Sequence, residues 1–132
     1  MRDFRLAFRM MREVYKVANI LVCDDDKDIV EAIGIYLEQE GYEILEYNYR
    51  CKTGEIDIIA KEGQTLVFVE VKYRKDDKKG YPAQAVDQRK QQKIRKSAMI
   101  YLKKNHLSFE QQMRFDVVEI LGKKIRVIKH AF

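Results

Sequence analysis

Residues 54–74 read GEIDIIAKEGQTLVFVEVKYR. Two runs alternate apolar and polar residues about Lys61-Glu62-Gly63-Gln64, the pattern of a β-hairpin whose successive side chains point to opposite faces. In the second run Val67, Val69, Val71 and Tyr73 take one face, and Phe68, Glu70, Lys72 and Arg74 the other. In the first, Ile56 and Ile58 go one way and Glu55 and Asp57 the other. A turn symmetric about Glu62-Gly63-Gln64 pairs Ala60 with Thr65. That register predicts Glu55 opposite Glu70, with Asp57 diagonal to Glu70 on the same face and within its reach.

Carboxylates gathered this way repel, and each raises its neighbour's pKa unless a cation neutralises them. Lys72 supplies one positive charge. Mg²⁺ would supply more, since it takes one or two carboxylates and completes its shell with waters and substrate phosphate oxygens. Asp57 and Glu70 suit that demand. Water on such an ion can be deprotonated near neutral pH and attack a phosphodiester, with Lys72 orienting the nucleophile or stabilising charge on the phosphorane. The same residues also read as a solvated sheet face in which Glu70 pairs with Lys72 and Arg74. Spacing alone leaves both readings open.

Around the hairpin, 132 residues suit one domain with one core, 1–132. A hydrophobic fraction of 46% beside 36% charged residues fits a globular chain with a heavily charged surface. Two cysteines, Cys23 and Cys51, with His106 and His130, make neither a disulfide framework nor a zinc set. No apolar run has the length of a membrane span and no secretory signal opens the chain, so a reducing cytoplasm and no membrane are expected. A net charge of +5 favours a polyanionic partner.

Residues 2–18 carry Phe4, Phe8, Met11 and Tyr15 at helical spacing among arginines and read as a basic amphipathic helix or extension. Residues 19–23 read as a short strand, and Asp24-Asp25-Asp26 as a loop capping a helix from Ile29 to Gln39, closed by Gly41. A strand at 42–50 precedes the hairpin. A polar loop then leads to a helix at roughly 83–104 and two last strands, RFDVVEIL and KIRVIKHA, on either side of Gly122. This order predicts an α/β fold with a mixed central sheet. The 83–104 helix carries Arg89, Lys90, Lys93, Arg95, Lys96, Lys103 and Lys104 against the single acid Asp87. Arg89, Lys90, Lys93 and Lys96 are expected to contact nucleic-acid phosphates, DNA first, positioning a backbone without reading bases. Tyr47, Tyr49, Tyr73 and Tyr81 are expected to pack in the core or rim, or to stack on unpaired bases.

The blocks NYRCKTGEIDIIAKEGQTLVFVEVKYR, YPAQAVDQRKQQKI and RFDVVEI resemble the YraN-like family of small bacterial proteins, over about residues 36–132. The resemblance implies a restriction-endonuclease-like PD-(D/E)xK core, helices flanking the sheet, and similarity to archaeal Holliday-junction resolvases. It implies Asp57 and Glu70 as ligands of Mg²⁺ or Mn²⁺, Lys72 as catalytic lysine, and Glu55 and Arg74 as supporting residues, and it puts Lys90 and Lys93 where related nucleases bring a helix beside the metal site. It also implies an endonuclease acting on branched or single-stranded nucleic acid, in the homodimer usual for resolvases. Nuclease-like members carry a Gly-Glu pair six or seven positions before the Tyr-Leu found here at Tyr36-Leu37; this chain has Ile29 and Val30 there. Glu31 is adjacent, one step and about 100° around a helix, and is the remaining supporting candidate. The absent helix carboxylate keeps open a nucleic-acid-binding protein without turnover, or a chimeric fold without activity. The stretch at 19–45 resembles the start of a response-regulator receiver domain, with 19–40 as a strand and helix fused into the domain, yet no phospho-accepting Asp follows where a receiver needs one.

Overall fold

The computed structural model describes residues 26–74, 86–122 and 124–132, in the order α1 (Asp26–Gln39), β1 (Glu43–Cys51), β2 (Gly54–Glu62), β3 (Thr65–Arg74), α2 (Gln88–Lys104), β4 (Met113–Leu121) and β5 (Lys124–Ile128). The helix expected at 2–18, the strand at 19–23, Asp24-Asp25 and the loop containing Tyr81 lie outside these residues. The strands form one sheet in chain order. β1, β2 and β3 are an antiparallel meander, β3 and β4 are parallel, and β4 and β5 are antiparallel. A parallel pair needs a crossover, and α2 lies in it. The mixed α/β sheet read from the pattern is present. No helix among the described residues is long and apolar enough to cross a membrane.

The hairpin turn is tighter than the symmetric one. Glu62 pairs with Thr65, so Gly63 and Gln64 alone form the loop, with Gly63 at φ +61 in the left-handed region that glycine adopts freely. The register moves accordingly: Ala60 meets Val67 rather than Thr65, and Ile58 meets Val69. Continued by one step, it sets Asp57, not Glu55, against Glu70.

The sheet carries a helix on each face. Ile29, Val30, Ile33 and Leu37 form the stripe of α1 that packs on Ile58, Ala60, Val67, Val69, Val118 and Ile120. Ile94, Ala98, Tyr101 and Leu102 of α2 cover Ile56, Ile59, Leu66 and Phe68. Ile56 and Ile58 therefore face different helices, contrary to strict alternation. Their partners Tyr49 and Tyr47 are divided in the same way. Between those tyrosines Asn48 stands at φ 51, a conformation asparagine tolerates, and the strand is re-aimed there. Both tyrosines pack in the core.

The helix expected from residue 83 begins at Gln88. The side chain of Asp87 accepts the Lys90 N–H at 2.8 Å and caps the helix, which accounts for the one acid in a basic segment. On the α1 side, fully buried Asp116 accepts from Tyr42 Oη (2.9 Å), Arg114 Nε (2.8 Å) and Nη2 (2.9 Å), and the His130 N–H (2.9 Å). A buried carboxylate is tolerated when its lone pairs are filled in this way, so RFD within RFDVVEI anchors β4. Burial, then the Asp116 charge, push the Tyr42 hydroxyl well above its usual range.

Gly34 sits in the middle of α1, where a Cβ would be driven into the ring and hydroxyl of Tyr47. An alanine there gains about 1 kcal/mol of helix propensity but overpacks the interface at a cost of about 1–3 kcal/mol. Gly34→Ala is therefore expected to lower the urea midpoint, and the same change in a Tyr47→Leu background to raise it. Equal effects in both backgrounds would remove the tyrosine from the explanation.

Candidate metal and nucleic-acid site

Among the described residues, β2 and β3 pair from Glu62–Thr65 to Ile58–Val69, where the ladder ends. Past that point β2 stays with β1 through Tyr49–Ile56 and Arg50–Glu55, and β3 stays with β4 as far as Arg74–Leu121. The two strands part like a fork, and Asp57 and Glu70 are the first residues beyond the split. The Val71 N–H donates to Asp57 Oδ2 at 2.8 Å and holds that carboxylate at the crotch.

The fork opens into a cleft of about 310 Å³. Ile29, Val30 and Tyr73 wall it, and Asp57, Glu70, Lys72 and Lys90 supply its charge. Glu70 is only 6% exposed, so the face is not solvated there, although the Glu70–Lys72 pair of that reading is present; a carboxylate this deep needs partners. Its Oε1 receives Lys90 Nζ at 2.7 Å and Lys72 Nζ at 3.5 Å. Burial, then the like charge of Glu70, push Asp57 up to about 7, against the Val71 N–H and the Lys90 charge that favour the ion. Burial and the adjacent Lys90 pull Lys72 below its ordinary value, against the attraction of Glu70. Burial also works against the Lys90 ammonium, but its contact with Glu70 prevails and raises it.

Of the residues expected to act together, the structure joins Asp57, Glu70 and Lys72. Lys90, expected on phosphates and placed beside the metal site by the family resemblance, reaches into the cleft, whereas Lys93 stays exposed; residue spacing alone does not announce this, because the β3–α2–β4 crossover creates the contact. Glu55 is exposed and faces Arg50 at 3.6 Å, although its charge still contributes to raising Asp57. The side chain of Arg74 lies outside the described residues. Glu31 is exposed on α1 and acts on Tyr47, while Ile29 and Val30 line the cleft. The helix wall is thus aliphatic where a carboxylate was sought. Arg89, Lys93 and Lys96 are exposed along α2, whereas Arg95 lies over the rings of Phe115 (5.7 Å) and Phe132 (5.4 Å). At the far end of α2 a second cavity of about 550 Å³ is lined by Cys51, Ile100 and the cationic side chains of Lys52, Lys103 and Lys104.

No group of three or more His, Cys, Asp or Glu side chains suited to a metal occurs among the described residues. A cation here would take Asp57 and Glu70 and fill its remaining positions with water and phosphate oxygens, as Mg²⁺ prefers. The donor set fits: Asp57 and Glu70 bring two carboxylates into one cleft, close enough for the Glu70 charge to raise Asp57 after burial does.

The raised Asp57 has a consequence for stability. Below pH 4 the carboxyl is protonated folded or unfolded and contributes no difference. Between about 4 and 7 the unfolded chain ionises first, so rising pH destabilises the native state. In metal-free buffer Asp57→Asn is expected to match wild type near pH 4. It should become progressively more stable than wild type up to pH 7, by on the order of a few kcal/mol, and hold that margin above it. Urea melts across this range measure the difference; a constant offset would contradict the assignment.

Residues 31–120 match the family described as Uncharacterised protein family UPF0102. A UPF0102 protein of Lachnoclostridium phytofermentans is 52% identical over 97 residues, covering 74% of this chain and 82% of its own length. One from Syntrophus aciditrophicus is 52% identical over 101 residues (74% and 79%), and one from Alkaliphilus metalliredigens 46% identical over 103 (76% and 90%). The family match begins at Glu31, after the expected strand and the acidic triplet with which the receiver-like reading opens, and the match does not support that reading. With its fork, its Glu-x-Lys strand and its buried Asp116 anchor all inside the matched span, the chain belongs to the UPF0102 (YraN-like) family.

Proposed function

We propose that this chain is a metal-dependent endonuclease-like protein acting on branched or single-stranded nucleic acid, DNA first. The observation that carries the reading is the fork, which brings two carboxylates and a strand lysine together in one cleft beside a basic helix. Asp57 and Glu70 would hold Mg²⁺ or Mn²⁺, and the bound ion would supply Lewis acidity and a hydroxide near neutral pH. Lys72, shifted toward its neutral form by burial, orients the nucleophile and faces the scissile phosphate. Arg89, Lys93 and Lys96 lead away along α2 toward Lys103 and Lys104, a row of about 22 Å from end to end at 1.5 Å per residue. Such a row tracks a phosphate backbone and is indifferent to base sequence. The assembly expected of a resolvase-like protein is a homodimer.

A second reading, binding without turnover, is favoured by the aliphatic wall of Ile29 and Val30, which leaves the ion one carboxylate fewer from the helix.

A panel of junction, flap, single-stranded and linear DNA incubated with Mn²⁺ separates the two. Cleavage by wild type and its loss by at least a hundredfold in Asp57→Ala and Lys72→Ala, on the scale of removing a group that stabilises the transition state, is the expected result. Salt-sensitive binding without cleavage supports the second reading. Cleavage unaffected by either substitution sinks the first.

A further inference from the structure

We infer that Lys90 is an internal counter-ion, seated on Glu70 while the cleft lacks a divalent cation and released to nucleic-acid phosphate when one binds. The inference rests on the metal-site reading above and adds its regulation. Glu70 Oε1 is shared by two ammonium groups, Lys90 at 2.7 Å and Lys72 at 3.5 Å, in a carboxylate with almost no access to water. A divalent ion entering beside Glu70 brings two charges against those ammoniums, and in a partly dry cleft that repulsion is weakly screened. One ammonium has to leave.

The fold selects which. Lys72 projects from β3 two residues after Glu70, in a strand still paired to β4, and its side chain is 22% exposed. Lys90 stands in the first turn of α2, its N–H on the Asp87 cap, with a side chain 41% exposed at the cleft mouth. Its flexible stem can swing outward without breaking strand pairing, and there it joins exposed Arg89 and Lys93. The ion then adds one cation to the phosphate-facing row. By linkage, a nucleic acid that draws Lys90 outward strengthens cation binding by the same factor.

Lys90→Met keeps the stem and removes the charge. In Mn²⁺ titrations followed by electron paramagnetic resonance, without nucleic acid, this variant is expected to bind the ion on the order of tenfold tighter than wild type, within the usual span for coupled sites. For a single-stranded oligonucleotide, replacing EDTA by Ca²⁺ should tighten wild-type binding and steepen its log-salt slope by about one. Lys90→Met should lose both effects. Lys93→Met should bind the oligonucleotide more weakly in either buffer and keep both.

On the wild-type protein, ¹⁵N detection of the Lys90 ammonium on adding Mg²⁺ should show a slowly exchanging signal become a fast one; this readout survives even if Lys90→Met misfolds. Unchanged or weaker Mn²⁺ affinity in Lys90→Met, or a Lys90 signal insensitive to Mg²⁺, overturns the inference while leaving the metal site standing. Mn²⁺ binding that is absent, or indifferent to Asp57→Ala, overturns both.

Discussion

The parting of β2 and β3 after Ile58–Val69 governs the rest of the molecule. Each strand is held by a different neighbour, β2 by β1 and β3 by β4, so the central ladder opens inside the sheet rather than at its rim. An opened ladder leaves polar backbone groups to satisfy. Asp57 answers one of them by accepting the Val71 N–H, which places an acid where a sheet would ordinarily have a carbonyl. Glu70 then lies close to a like charge in a dry setting, and the lysines of β3 and α2 are what make its burial tolerable.

The apolar layers hold that notch in shape. On the α2 face the rings of Phe68, Phe115 and Phe132 stack in a row, 5.5 and 5.2 Å between centroids, with Tyr101 edge-on to Phe68 and Arg95 covering the outer end. On the other face the Asp116 network ties β4 to the start of β1 and to the last residues of the chain. Rigid packing on both sides means that the freedom left in the cleft belongs to long side chains at its mouth rather than to its backbone.

Much of this could be read in residues 54–74, because strand alternation and the Asp, Glu and Lys positions are local properties. The register could not. Four polar residues between two runs allow more than one turn, and the two-residue loop wins because Gly63 can take a positive φ. Ile56 was misassigned to the face of Ile58 for a related reason: Asn48 on the neighbouring strand breaks an alternation that periodicity treats as unbroken. The position of Lys90 followed from the family resemblance and not from any local pattern. A cap at Asp87 sets the helix phase, but only the crossover brings that turn beside β3. Composition identified a basic helix, yet net charge does not distinguish an ammonium facing solvent from one committed to a buried carboxylate.

The parallel pairing of β3 with β4 also sets an order of events. The β1–β2–β3 meander closes through short turns, whereas β4 can reach β3 only after the whole segment 75–112 has been looped back, and contacts of such long separation form slowly. Until then one border of β3 is bare, and the run LVFVEV along it is the kind of apolar ribbon that recruits identical ribbons from other molecules. Glu70 and Lys72 interrupt that ribbon with charge. The charged residues that gather in the cleft of the finished protein therefore also act as gatekeepers against aggregation while the chain is still assembling.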